Sequence, residues 1–141
     1  MSTPVTDPVL IDLSKHPGVV AVVGLSADPG KPSYGVAAYM IAHGVTIHPV
    51  NPTYAGQEIL GRKVYGSLAE VPEHIHIVDI FRRPEYILPI IEEAITAKAD
   101  AVWLQLGIIN AEAVERARAA GLGAVQDRCL KIEYARYADR G

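Results

Sequence analysis

The segment GLSADPGKPSY, from Gly24 to Tyr34, carries the residue types that hold a phosphate. Gly24 permits a tight turn and a close backbone approach. Ser26, Lys31, Ser33 and Tyr34 offer hydroxyl and ammonium donors around it. An apolar run, Val19–Leu25, precedes this segment, and a helical pattern follows it. A helix starting there would add free N–H groups and a positive dipole end. The alternative is an ordinary glycine-containing turn between a strand and a helix.

Two familiar phosphate motifs fail. In G-x-G-x-x-G, Ser26 and Pro29 stand where the second and third glycines belong. In the P-loop pattern, Gly24 and Gly30 are one residue too far apart, and Pro32 follows Lys31 where Ser or Thr is needed. Between Pro29 and Gln57 there is no acidic residue. A nicotinamide dinucleotide site needs a carboxylate near the second strand to accept the ribose hydroxyls. Here that place reads Val50–Asn51–Pro52. Val50 and Pro52 would offer apolar contact to a purine, or the segment is a plain Asn-Pro turn.

Two more segments raise the same choice. Phe81, Arg82 and Arg83 follow the apolar run at 75–80, where arginine forks suit phosphate and a solvated basic pair is the alternative. Gln105 and Gly107 end the run AVWLQLG. A buried amide must find a partner, either a loop or a ligand.

The elements that must position these residues alternate. Strands are predicted at Val19–Leu25, Val45–Val50, Ile75–Phe81, Ala101–Gly107 and Gly123–Arg128. Pro49 marks the second as an edge strand or a strand end. Helices are predicted over residues 8–16, 33–43 (Ser33 as N-cap, Gly44 as stop), 83–99, 110–121 (capped by Asn110) and 129–138. Pro89 requires a kink or a late start in the third. A short helical turn is expected near Ser67–Val71. The expected fold is α/β. It is a single Rossmann-like doubly wound parallel sheet of about five strands, with helices on both faces, in one domain over residues 1–141. Ligands of such sheets sit at the carboxyl ends of the strands, which is where all four segments fall.

Composition narrows the classes. With 141 residues and a net charge of −3, no global basic field invites nucleic acid. No apolar run is long enough to span a membrane. The opening residues lack a signal-peptide pattern, and the one cysteine cannot form an internal disulfide. A cytoplasmic location is expected. His74 and His76 share a strand face, but zinc needs more ligands, and no metal site is expected. No spacing pairs a nucleophile with a base, so no catalytic residue is assigned. Asp79 and Trp103 are expected in the core.

Taken together, AVVGLSADPGKPSYGVAAYM, VTIHPVNP, VDIFRRPE, WLQLGI and DRCLKIE resemble the small stand-alone CoA-binding proteins. These are similar to the CoA-binding domain of the succinyl-CoA synthetase alpha subunit. The likeness runs from about Pro17 to Arg136. It implies a Rossmann-type fold that takes coenzyme A, not NAD. It places Gly24, Leu25 and Ser26 at the pyrophosphate, and Asn51 and Pro52 near the adenosine. Phe81, Arg82, Arg83, Gln105 and Gly107 would follow the pantetheine. The ribose phosphate of CoA would repel a carboxylate, which accounts for Asn51. Thr53 and Leu130 depart from the family pattern, where a basic residue and a proline are frequent. The ligases also use a phosphorylated histidine from a second domain and ATP from another subunit, and this chain has room for neither. The expected activity is binding of CoA or an acyl-CoA without catalysis, in a regulatory or accessory role. A homo-oligomer and an acylation-enzyme partner stay open. The alternatives are an NAD(P)-linked oxidoreductase module and a CoA-dependent acyl transferase. Cys129, beside Arg128 at a helix start, is either a thiol that meets the CoA thiol or a packed small hydrophobe.

Overall fold

The computed structural model describes residues Ser2–Ala138. Five parallel strands form one sheet: β1 (Val19–Val23), β2 (Thr46–Val50), β5 (Ile77–Ile80), β6 (Ala101–Leu104) and β7 (Gly123–Val125), in the order β2-β1-β5-β6-β7. Alternate residues of each strand face opposite sides. Val20, Val22, Ile77, Trp103 and Val125 pack with α1 (Pro8–Lys15), α2 (Pro32–Ala42) and α5 (Leu130–Tyr137) through Leu10, Val36, Ala37, Met40 and Leu130. Ala21, Val23, Val78, Ile80, Val102 and Leu104 pack with α3 (Ile87–Thr96) and α4 (Ala111–Ala119) through Ile87, Ile91, Ala94, Ala113 and Ala117. This is the doubly wound sheet with helices on both faces that the alternating runs predict.

The chain leaves β1 toward β2 on one side and returns to pair β5 on the other. The order therefore reverses between β1 and β5, which opens a crevice at their carboxyl ends. Pro49 lies in the edge strand β2, where its missing N–H costs no central ladder bond. Past β2 a two-stranded hairpin forms, β3 (Glu58–Ile59) with β4 (Arg62–Lys63). Sequence reading leaves that segment as turns, because strands of two residues carry no periodicity.

Several boundaries shift. Ser33 does not cap α2: the helix starts at Pro32, the cap position is Lys31, and Ser33 sits in the first turn. The helix expected from residue 83 starts late. Residues Pro84–Tyr86 form a 3-10 turn, and α3 begins at Ile87, so Pro89 falls in its first turn, where no N–H is needed. Asn110 caps α4 as expected, accepting from the Ala113 N–H at 3.0 Å. Trp103 is wholly buried, and its Nε1 donates to the Arg128 carbonyl at 2.8 Å.

Asp79 lies in mid-strand on β5, paired in register with Val22 and Trp103. It is wholly buried, and neither carboxyl oxygen has a hydrogen-bond partner. Burial pushes its carboxyl well above the usual range, so the group favours its neutral form.

Candidate functional site

At the end of β1 the backbone turns at Gly24, with φ +86°. Its N–H donates to the Val50 carbonyl at 2.9 Å, and the Phe81 N–H donates to the Val23 carbonyl at 2.9 Å. The ends of β2, β1 and β5 are thus tied around one glycine. A Cβ at position 24 would meet the Phe81 carbonyl oxygen at 2.5 Å and Arg82 Cδ at 2.9 Å. Only glycine fits both the conformation and the space.

The loop beyond is built from its own side chains. Ser33 Oγ accepts from the Ser26 N–H at 3.0 Å, Ser26 Oγ from the Asp28 N–H at 3.0 Å, and Asp28 Oδ1 from the Gly30 N–H at 2.9 Å. These short side chains use local bonds to hold a turn that is neither helix nor strand. The N–H groups of Leu25, Ala27 and Ser33 have no protein acceptor among the described residues. They lie in the loop and in the first turn of α2, where the helix dipole is positive.

Asn51 closes the loop from the other side. Its Nδ2 donates to the Leu25 carbonyl at 3.0 Å, and its Oδ1 accepts from the Thr53 N–H at 3.0 Å. An ionised aspartate has no donor for the first bond. The amide at the end of β2 therefore has a structural reason to be there.

Between the loop and the start of the α3 segment lies a cleft of about 460 Å³. Gly24, Ser26, Lys31, Pro32, Ser33, Phe81, Arg82, Arg83, Pro84 and Ile108 line it. Gly24, Ser26, Lys31, Ser33, Phe81, Arg82 and Arg83 were expected from sequence and come together here. Pro32, Pro84 and Ile108 were missed. The two prolines adjoin expected residues, and Ile108 directly follows Gly107, so proximity was the available signal. The ion pairs among the described residues, His48–Glu73, His74–Asp100, Arg116–Glu92 and Arg136–Glu133, all lie elsewhere. Lys31, Arg82 and Arg83 consequently face the cleft without a carboxylate partner. Arg82 rests its guanidinium 4.7 Å from the centre of the Tyr86 ring, a cation–π contact that orients it.

The other expected residues take different places. The Leu25 side chain is wholly buried in the core, which leaves its backbone to face the loop. Tyr34 is half-buried against the α2 face of the core. Val50 is 3% exposed and packs in the interior, so its side chain does not present a flat surface to a purine, contrary to expectation. Pro52 is exposed and opens a 3-10 turn. Gln105 is buried, and its Oε1 accepts from the Leu130 N–H at 2.9 Å. Its side chain thus meets α5, the loop alternative of the two. Gly107 is exposed with φ +86°, and its N–H donates to Asp127 Oδ1 at 2.8 Å. Cys129 takes the N-cap position of α5, is half-buried against the core, and does not line the cleft.

A second group gathers titratable residues near the start of β5. Ligand atoms of His74, His76 and Asp100 lie within 4.8 Å of one another. The Val19 N–H donates to His76 Nδ1 at 2.9 Å. In the neutral ring that places the hydrogen on Nε2. Metal-binding imidazoles instead donate their second nitrogen and offer the first. His74 Nε2 is bonded to Asp100 Oδ1 at 2.9 Å. The group reads as a hydrogen-bonded cluster.

Comparisons with known proteins bear on this geometry. A family model described as a CoA binding domain matches residues 18–135. The uncharacterized protein YneT of Bacillus subtilis is 39% identical over 116 residues, which cover 82% of this chain and 84% of that one. The alpha subunit of the ADP-forming acetate–CoA ligase I of Pyrococcus furiosus is 37% identical over 82 residues, covering 55% of this chain but only 18% of the subunit. Among solved structures, a hypothetical protein from Pyrococcus horikoshii superposes with a TM-score of 0.88 at 34% identity, covering 97% of both chains.

Proposed function

The chain belongs to the CoA-binding domain family, and we propose that it binds coenzyme A or an acyl-CoA in the cleft between β1 and β5, without chemistry of its own. One observation carries this reading: three cations with no carboxylate partner surround unengaged backbone N–H groups at the point where strand order reverses. That arrangement fits a ligand rich in phosphate. The pyrophosphate would sit at the Gly24–Ser33 loop. The adenosine would lie toward Asn51 and Pro52, and the pantetheine would cross Phe81, Pro84 and Ile108, an apolar floor suited to a chain with few charges.

The side chains lining the cleft include no histidine, cysteine or carboxylate. Neither serine there has a base beside it: Ser26 and Ser33 oxygens accept from backbone N–H groups. This supports a binding role, carried out alone, as an oligomer or beside an acylation enzyme. Calorimetric titration with CoA and NAD in parallel tests the reading. CoA should bind, and NAD should show no heat at the same concentration. NAD binding as tight as CoA would overturn it.

A further inference from the structure

Five large apolar side chains are exposed among the described residues, and three of them lie on two loops that reach the cleft: Tyr86 at 46%, Leu106 at 63% and Ile109 at 40%. These two loops form a rim of the cleft through Pro84 and Ile108. Ile108, between Leu106 and Ile109, lines the cleft itself, as does Pro84, two residues before Tyr86. Asn110 Nδ2 donates to the Pro84 carbonyl at 3.0 Å and fastens the two loops side by side. The turn is held by the Ile108 N–H on the Gln105 carbonyl at 2.9 Å and by the Gly107 N–H on Asp127 Oδ1 at 2.8 Å. The exposed side chains are therefore carried on fixed backbone.

We propose that this rim is an acyl subsite, and that the protein favours acyl-CoA thioesters with an extended apolar acyl chain over free CoA. The inference rests on the CoA reading above. With phosphates at the Gly24–Ser33 loop and the pantetheine running toward Ile108, the thioester leaves the cleft beside Leu106 and Ile109. A chain of several methylenes would cover those side chains and lose water contact itself. The size of the strip favours this occupant over a protein. Three partly exposed side chains offer on the order of a few hundred Å² at most, whereas a stable protein interface needs roughly 800 Å² per partner. The rim provides apolar contact, so a short or charged acyl group would gain little from it.

The test is titration of the whole chain with CoA, acetyl-CoA, succinyl-CoA and octanoyl-CoA, repeated on Leu106→Ser/Ile109→Ser, with oligomeric state followed by analytical ultracentrifugation. Octanoyl-CoA should bind about tenfold tighter than CoA or more, and acetyl- and succinyl-CoA within about threefold of it. The double variant replaces side chains that are already exposed. It should bring octanoyl-CoA to the level of CoA and leave CoA unchanged. If CoA binds and octanoyl-CoA binds no tighter, the acyl subsite is wrong while the CoA site stands. If the variant splits an oligomer and keeps the octanoyl preference, the rim is a contact between copies and the proposal fails. If CoA itself does not bind, both readings fall.

Discussion

The two edges of the sheet differ in how their polar groups are satisfied. At the amino edge, around the start of β5, His74 bonds Asp100, and His76 takes the Val19 N–H. Charges and lone pairs there answer one another. At the carboxyl edge, Lys31, Arg82 and Arg83 have no carboxylate, and three N–H groups have no protein acceptor. Folded chains satisfy most of their polar groups. The convergence of same-sign charge and free donors on a concave edge is what supports the proposed CoA site. At the amino edge, the residues associated with metals are instead bonded to one another and to backbone.

The sharpest way to break this comparison is to remove charge at each edge. Arg82→Ala/Arg83→Ala should weaken CoA about 100-fold in titration, because two charge-assisted contacts go at once. It should leave the thermal midpoint nearly unchanged. His74→Ala, which removes an exposed pair with Asp100 and an edge contact with the His76 ring, should alter CoA affinity by less than about twofold and stability by less than about 1 kcal/mol. Equal effects at the two edges would erase the distinction.

A backbone test comes next in size. Gly24→Ala combines positive φ with a contact to the Phe81 carbonyl that cannot yield cheaply. It should cost about 2 kcal/mol in denaturant unfolding and weaken CoA as well. Gly107→Ala has the same sign of φ but open space around its Cβ, so it should cost about 1 kcal/mol. Equal losses at the two glycines would mean that the tight packing of β1 against β5 is not what position 24 demands.

How much of this was legible in sequence depended on whether the signal was local. The apolar runs at 19–25, 75–81 and 101–107 located three strands, although each run outlasts its strand: Gly24 and Phe81 turn into the cleft, whereas Leu25 returns to the core and Gln105 meets α5. The doubly wound order followed from the alternation of strands and helices. Arg82 and Arg83 were legible because they closely follow the end of β5, and Lys31 because it precedes the helix after the Gly24 turn. Roles that depend on a distant partner were not. Asn51 was read as the absence of a carboxylate, whereas its amide is needed for Leu25, 26 positions away. Gln105 could have met a ligand or a loop, and only the fold brings it to Leu130. Val50 was read as apolar contact for a purine or part of a plain turn, yet it pairs with Tyr65 and packs in the core, a partner 15 positions away that the local pattern does not reveal. Ile108 carried no motif of its own.

Asp79 provides a smaller test, away from both edges. Its folded-state carboxyl titrates above its unfolded value. The native state therefore holds a proton that the unfolded chain has released, and stability falls as pH rises above about 4 toward the folded-state value. Asp79→Asn removes that penalty and should stabilise the protein by about 1 kcal/mol at pH 8. The gain should shrink toward pH 4. Thermal unfolding across that range checks it, and a variant less stable than the parent at pH 8 would show that the carboxyl has a favourable role in the core.

The most direct measurement is an amide nuclear magnetic resonance titration of the isotope-labelled protein with CoA. The N–H signals of Leu25, Ala27 and Ser33 should shift most, because phosphate oxygens would supply the acceptors they lack. Those of Val19 and its neighbours at the amino edge should stay in place. Shifts concentrated around Val19, His74 and His76, with the Gly24–Ser33 loop unmoved, would contradict the account.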